Sequence, residues 1–201
     1  MSKVMFKTMS KVSKQRLFAL FAVFTSVIIS GCNSTPSQVI VAPQINQSAH
    51  TLYQGIAASF AVKDLRSSNH IIQILQADKA AKLLSPNRVF SEVVAETLRP
   101  YLSAQGLSLS GGNIQIDIEI ERAMVSVQQA MMKYDASSDI QVRVKVLKGD
   151  SVFTNVFNAR GSSNGPLSAD IAVLERDFNQ LLGKLIADIA NHPDMINFIR
   201  S

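Results

Sequence analysis

The stretch NIQIDIEI, residues 113–120, alternates strictly between apolar and polar side chains. Because successive side chains of a β-strand point to opposite faces, this pattern predicts a strand with one dry and one wet side. DIQVRVKV, residues 139–146, repeats the pattern, and SVFTNVFNAR, residues 151–160, follows a turn signal at 148–150. Sheets with one wet face are usually antiparallel, so we expect an antiparallel sheet built on these three strands.

Shorter elements precede these strands in the chain. QVIVAP, residues 38–43, predicts a short first strand. GIAASFAVKDLR, residues 55–66, predicts another strand, and HIIQILQ, residues 70–76, is its expected partner. Ser85 and Pro86 are typical of a helix start, with serine as the N-cap and proline at the first helical position.

Two amphipathic helices are predicted to cover the dry face of the sheet. The first follows Pro86 and stops near Gly106, a residue type that favours helix C-termini. The second begins at Ser168, carries leucine and isoleucine at helical spacing, and ends before His192. We therefore expect residues 49–201 to form a single α+β domain, an antiparallel sheet with two main helices packed on one face.

The first 31 residues differ in composition from the rest. Five lysine or arginine residues precede LFALFAVFTSVII, residues 17–29, which is uncharged and mostly apolar. This run is shorter than the about 20 residues that a helix needs to span a bilayer, and the pattern is typical of a secretory signal. An uncleaved anchor, or burial of Cys32 in the core, is the alternative; the short run and the polar NSTPSQ after Cys32 favour a signal.

ISGC, residues 29–32, resembles the lipobox of bacterial lipoprotein signals, an aliphatic residue and two small residues before cysteine. The resemblance implies a lipid on the Cys32 sulfur, cleavage between Gly31 and Cys32, and acylation of the new amino terminus. Several acyl chains on one residue give a stable membrane anchor. Asn33 replaces the aspartate that retains enterobacterial lipoproteins in the inner membrane, which implies the outer membrane. Residues 32–48 would then be the lipidated amino terminus and a tether with the short first strand.

Removal of the signal changes the charge of the chain. Five of the 20 basic residues precede Cys32, which leaves 15 basic against 15 acidic residues in the remaining 170. A neutral chain lacks the excess positive charge that drives nucleic-acid binding, so we expect no nucleic-acid partner. With the single cysteine lipidated, no disulfide is available, and a length of this order suits one packed domain.

Four stretches carry a resemblance to a known family. They are SGC at 30–32, AETLRPYLSAQG at 95–106, NIQIDIEI at 113–120 and LLGKLIADIANHPDMINFI at 181–199. On these, the chain resembles the YajG family of uncharacterised bacterial lipoproteins. The resemblance implies an outer-membrane lipoprotein that faces the periplasm and has no established activity.

The sequence contains few candidates for chemistry. The three histidines have no metal-ligand spacing, so no metal site and no cofactor are predicted. Asp117, Glu119 and Glu121 line one strand face and suit either acid–base chemistry or ion pairs with Arg143 and Lys145 on a neighbouring strand. We favour the ion pairs and expect that the protein is not an enzyme.

A methionine-rich segment, residues 123–134, lies where a hairpin tip is predicted. Met124, Met131, Met132 and Tyr134 either form an adaptable apolar patch that contacts a partner or pack beneath the helices. We expect a lipid-anchored protein on the periplasmic face of the outer membrane that binds or supports another envelope component. The alternative is a carrier or sensor of a small apolar ligand, lipid or cell-wall fragment in a cleft between sheet and helices.

Replacing the cysteine tests the anchor directly. The Cys32→Ala protein is expected to carry no lipid and to leave the membrane fraction, because no thiol remains to accept the acyl groups. Intact-mass analysis and cell fractionation measure both effects. Native protein with a free Cys32 thiol and the leading peptide still attached would contradict the lipid anchor.

Overall fold

The computed structural model of the chain describes residues 38–45 and 51–201. The predicted signal, the lipobox residues Gly31 and Cys32, and the sorting residue Asn33 lie outside the described residues.

Seven strands and three helices follow one another in the described part of the chain. They are β1 (Gln38–Val39), β2 (Ala58–Asp64), β3 (Ile72–Gln76), β4 (Lys82–Pro86), α1 (Phe90–Ala104), β5 (Ile114–Gln129), β6 (Lys133–Lys148), β7 (Ser151–Pro166), α2 (Ile171–Ala190) and α3 (Pro193–Arg200).

The three alternating stretches form long antiparallel strands, as predicted. β5, β6 and β7 each have 16 residues and pair in chain order. The isoleucines of β5 and the facing valines of β6, such as Ile118 and Val144, are buried on the same side. The hydrophobic pattern thus fixes which face of these strands is covered.

β2 and β3 pair in parallel with the same edge of β5, one after the other. β2 lies beside Ile114–Ile120, and β3 lies beside Val125–Gln129. The prediction that these two strands pair with each other is therefore wrong. The chain keeps the same direction from β2 to β3. Between the two pairings, β5 has a bulge at Ile120–Arg122, where its register shifts.

The α+β class is confirmed, but the sheet is mixed rather than wholly antiparallel. Besides the parallel pairs of β2 and β3 with β5, β1 is parallel to β4. The chain reverses twice between β3 and β5, first into β4 and again after α1, so these two strands run the same way. Side-chain alternation reports which face is buried and carries no information on strand direction.

Ser85 and Pro86 end β4 and do not start a helix, so that prediction is also wrong. Their Cα atoms pair with those of Gln38 and Val39 in β1. A proline is tolerated here because it closes a short strand near the sheet edge. α1 begins at Phe90, four residues after the proline.

The carboxyl end of α1 lies where Gly106 predicts it. Gly106 has a φ of +92°, and its N–H donates to the Ser103 carbonyl at 3.0 Å. The N–H of Leu107 donates to the Leu102 carbonyl at 3.1 Å, which completes a Schellman motif. A Cβ at this position would lie 3.1 Å from the backbone nitrogen of Gln54, so glycine also permits a close approach.

All three helices pack on the face that carries the isoleucines and valines. α1 contacts β2, α2 contacts β6 and β7, and α3 contacts β6. The Phe90 and Phe178 rings join α1 to α2, with centroids 6.2 Å apart. α2 begins three residues after Ser168, with Asp170 as its N-cap. Within the described residues, no helix is both long and apolar enough to span a bilayer.

A polar network joins the carboxyl ends of α1 and α2. The buried Gln105 amide donates to the Asn191 side chain at 2.9 Å, and the Asn191 amide donates to the Tyr101 hydroxyl at 2.7 Å. The hydroxyl of Tyr53 donates to the Ala190 carbonyl at 3.1 Å. Burial, and secondarily the nearby Tyr101, raises the pKa of Tyr53 far above its usual value, so this hydroxyl remains a donor.

The segment 38–45 lies extended along α2 and is held by side chains of that helix. The Ile40 N–H donates to the Glu175 carboxylate, and the Ala42 N–H donates to the Asn179 side chain, both at 2.9 Å. The Asn179 amide returns a hydrogen bond to the Ile40 carbonyl. Side chains four residues apart on a helix match backbone groups two residues apart on a strand, since both spacings are about 6–7 Å.

Gly183 permits the contact between this segment and α2, and its replacement tests the packing. A Cβ there would lie 2.5 Å from the Gln44 carbonyl oxygen. Alanine is favoured over glycine in helices by about 1 kcal/mol, but the clash with backbone outweighs this, so Gly183→Ala should lower the free energy of unfolding by about 1–3 kcal/mol. Urea unfolding measures the loss, with exposed Lys184→Ala as the control. A more stable Gly183→Ala protein would contradict the close packing.

Candidate functional site at the β5–β6 hairpin tip

The turn between β5 and β6 presents three neighbouring apolar side chains to solvent. Met131 is 92% exposed and Met132 is 70% exposed. Leu167, which follows β7, is 61% exposed, and its N–H donates to the Met132 carbonyl at 2.9 Å. Scattered single apolar residues are normal on a protein surface, whereas a contiguous group marks a candidate contact site. We call Met131, Met132 and Leu167 the tip cluster.

The side chain of Gln129 holds the backbone beneath the tip cluster. Its amide nitrogen donates to the carbonyls of Ala130 at 2.6 Å and Leu167 at 2.9 Å, with a longer contact of 3.3 Å to Lys133. Its amide oxygen accepts from the Ala169 N–H at 2.9 Å. One side chain therefore joins the hairpin turn to the connection that leads into α2. The backbone turn itself is closed by the Ala130 N–H, which donates to the Lys133 carbonyl.

The structure separates the four residues predicted for the patch. Met131 and Met132 lie at the tip, in agreement with an exposed contact surface and not with packing beneath the helices. Tyr134 is buried, and a Cβ on Gly165 would lie 2.8 Å from its ring, so it supports the tip from below. Met124 is half-buried and pairs across the strand with Asp139, well below the turn.

Leu167 is the member of the tip cluster that the sequence analysis missed. It lies more than 30 residues after the methionines and reaches them because Lys133 at the start of β6 pairs with Pro166 at the end of β7. Leu167 also has a φ of +61°, which a leucine rarely adopts. The adjoining sequence GPLS, residues 165–168, carries a turn signal but does not show where the turn lies in space.

The acidic residues of β5 form ion pairs on the sheet face opposite the helices. Glu119 accepts from Lys145 at 2.9 Å, and Glu121 pairs with Arg143 at 2.6 Å. These are the two cross-strand partners that the alternation predicts. Asp117 accepts from the Gln115 amide at 2.8 Å, and Lys63 of β2 lies 3.5 Å from its other oxygen. Each carboxylate thus has a cation nearby, which suits a structural role.

The histidines and other metal-ligand side chains are dispersed. No group of three or more histidine, cysteine, aspartate or glutamate residues within 38–45 and 51–201 could hold a metal ion. His192 is the N-cap of α3, where its Nδ1 accepts from the Met195 N–H at 3.4 Å. Its ring also packs edge-on against Phe157, with centroids 5.1 Å apart. These contacts explain His192 as a structural residue.

The family model described as an uncharacterized lipoprotein matches residues 43–200. The chain belongs to this lipoprotein family. The match extends from the segment along α2 through the end of α3, so it covers the tip cluster and the whole helical layer. Among curated proteins, none is similar enough to this lipoprotein to count as a match.

Solved structures include proteins that are similar to this lipoprotein. Protein XCC0632 from Xanthomonas campestris, of family DUF330, is 11% identical, with a TM-score of 0.56 over 79% of this chain and 96% of that one. The hypothetical protein CT253 from Chlamydia trachomatis is 12% identical, with a TM-score of 0.41 over 73% and 98%. At such identity the first likeness concerns the fold alone.

Gln129 offers a test of how the tip cluster is held. Gln129→Ala removes hydrogen bonds to both sides of the tip, so this lipoprotein should lose about 1–2 kcal/mol of stability. The amides of residues 130–133 and 169 should exchange faster with deuterium. Gln128→Ala, at the exposed neighbouring position, serves as the matched control. Unchanged exchange in Gln129→Ala would show that the side chain does not fix the tip.

Proposed function

We propose that the protein is a non-enzymatic lipoprotein of the YajG type that binds another protein of the cell envelope through the tip cluster. Lipidated Cys32 anchors it to the periplasmic face of the outer membrane. The observation that carries the proposal is the group of exposed apolar side chains on an ordered hairpin turn. The family match supports the lipid anchor, and Asn33 supports the outer-membrane destination.

The tip cluster has the physical properties of a protein contact. Burying one methionine or leucine side chain contributes about 1.5–3 kcal/mol, so the three together are worth several kcal/mol to a complex. Methionine adapts its shape to an irregular partner surface. The Gln129 hydrogen bonds order the backbone before binding, which lowers the entropy that association costs.

The charges on the opposite face support a binding role over catalysis. Glu119 and Glu121 each lie within 3 Å of a basic side chain. A general acid or base needs access to a substrate, whereas these carboxylates neutralise neighbouring cations. We therefore propose that the protein acts through its location at the membrane and through contact with its partner.

The described grooves do not favour the alternative of an apolar-ligand carrier. A groove of about 270 Å³ lies where α2 crosses β6 and β7. Its lining includes Asp177, Gln180 and Lys184 of α2 and serines of the strands. A site for a lipid or another apolar molecule is lined mainly by hydrophobic side chains, whereas Leu181 is the single large apolar side chain in the lining of this groove.

Site-specific crosslinking in living cells tests the proposal. A photo-reactive benzoylphenylalanine at Met131, and separately at Leu167, is expected to give the same discrete crosslinked protein. Adding Met132→Ser should reduce its yield about tenfold or more, as expected for a contact worth about 1.4 kcal/mol or more. The stability should not change, because the side chain is exposed.

Val152 provides the control position for this experiment. It is 59% exposed and lies at the start of β7, at the far end of that strand from the tip. The photo-reactive group at Val152 should not capture the protein found at the tip. The same adduct at all three positions, or none at the tip, would overturn the assignment of the tip cluster as the contact surface.

A further inference from the structure

A polar pocket of about 340 Å³ lies where the edge of the sheet changes strands. β2 ends at Asp64 and β3 begins at Ile72, and the loop between them meets the end of β4 and the start of α1. The bulge at Ile120–Arg122 of β5 marks the same place on the neighbouring strand. The lining combines two arginines, one carboxylate and two uncharged polar residues with three apolar residues: Asp64, Arg66, Asn69, Ser85, Pro86, Arg88, Val89 and Phe90.

Arg66 is the buried charge of this pocket. Its side chain is only 6% exposed, and its Nε and Nη2 donate to the two Asp64 carboxylate oxygens at 2.9 and 2.8 Å. The guanidinium carbon lies 4.6 Å from the centroid of the Phe90 ring. The remaining nitrogen, Nη1, is buried and has no hydrogen-bond partner among the described residues. A buried donor without a partner costs about 1–3 kcal/mol, so an acceptor placed beside Nη1 would stabilise the site.

The start of α1 adds further donors to the same pocket. Val89 is the N-cap and supplies no side-chain hydrogen bond to the first turn. The first N–H groups of a helix lack intrahelical acceptors and carry partial positive charge, which suits an anion. Arg88 lies beside them and is about half exposed, with Glu96 as its partner at 2.6 Å. Each of the two arginines thus pairs with one carboxylate, and the donors of the pocket without a partner among the described residues are Arg66 Nη1 and the first N–H groups of α1.

The amino-terminal tether enters the domain beside this pocket. Gln38 is the Cα partner of Ser85, a lining residue, and the Asn87 N–H donates to the Val39 carbonyl at 2.9 Å. Cys32 lies six residues before Gln38, a length of chain that spans at most about 20 Å. A lipid on Cys32 would therefore be tethered to Gln38 by no more than this length of chain.

Exposed apolar side chains surround the pocket. Leu65 lies between two lining residues, and Val89 itself belongs to the lining. Leu83 precedes Ser85 by two positions in β4 and so lies on the same side of the strand. All three are more than half exposed. Exposed apolar residues close to basic side chains are typical of surfaces that lie against lipid headgroups.

We propose that this pocket binds the phosphate group of a phospholipid headgroup in the membrane that holds the anchor. Phosphate oxygens accept hydrogen bonds from the free edge of the Arg66 guanidinium, from Arg88 and from the first turn of α1. The inference rests on the proposed lipid anchor at Cys32, because that anchor brings the headgroups within reach. Headgroup binding then fixes the orientation of the domain on the bilayer, which a single point of attachment does not.

The first arm of the test uses inorganic phosphate. The lipidated protein is kept in a phosphate-free detergent and heated with phosphate or with chloride at equal ionic strength. Phosphate at about ten times its Kd should raise Tm by about 2–4 °C. Arg88→Gln and Arg66→Lys should abolish the rise, the latter because lysine keeps the charge but lacks the second guanidinium edge. Arg176→Gln, an exposed arginine on α2, should retain it. No phosphate-specific rise in the native protein would overturn the site.

The second arm uses vesicles of phosphatidylcholine and phosphatidylglycerol that carry a nitroxide lipid. With Cys32 acylated, an introduced Leu83→Cys or Val152→Cys is the single thiol available for a fluorophore. These positions are 51% and 59% exposed and belong to β4 and β7, near opposite edges of the sheet. Quenching should be at least twofold stronger at position 83, and Arg88→Gln should remove the difference.

The outcomes of the two arms separate the sources of phosphate. A phosphate-dependent Tm with equal quenching at both positions would assign the pocket to a soluble phosphate compound and overturn headgroup binding. A protein that fails to enter vesicles would overturn the lipid anchor, and the headgroup inference with it. Incorporation into vesicles with no effect of Arg88→Gln in either arm would overturn the pocket alone.

Discussion

The fold depends on β5, a strand of 16 residues that is paired along both edges. β6 covers one edge for nearly its full length, while β2 and β3 divide the other edge between them. The bulge at Ile120–Arg122 allows this division, because the extra residue moves the buried positions from even to odd numbers. Ile118 before the bulge and Val125 after it are both buried on the helical side. A one-residue change of register elsewhere would turn the isoleucines toward solvent.

The sequence predicted the long strands well because their information is local. The alternation in residues 113–120 and 139–146 identifies the buried face, and the cross-strand ion pairs follow from it. The positions of β2 and β3 depend on the bulge, and residue types around Glu121 do not reveal a bulge. Ser85 and Pro86 suit a helix start as well as a strand end, and contact with β1 decides between them.

The tip cluster also depends on contacts between distant parts of the chain, which the local sequence does not reveal. The sequence places two methionines in a predicted turn. Whether their side chains are exposed or buried depends on the length of the hairpin. The hydrogen bonds of Gln129 join residues about 40 positions apart, and the local sequence does not indicate a contact over that separation. Tyr134 belongs to the same stretch but is buried opposite Gly165, because it lies inside β6, whereas both methionines lie in the turn before that strand.

The two proposed surfaces are both defined by β5. The proposed phosphate pocket lies beside the bulge of β5, and the tip cluster lies beyond its last residue. From Arg122 to Gln129 the strand advances by seven residues, so the pocket and the tip cluster are about 23 Å apart along it. A domain oriented by a headgroup would hold the tip in a constant position relative to the bilayer. A partner in the same membrane then meets the tip at a restricted angle. This raises the effective concentration of the partner in the orientation that allows binding. Weak apolar contacts of a few side chains suffice under that condition.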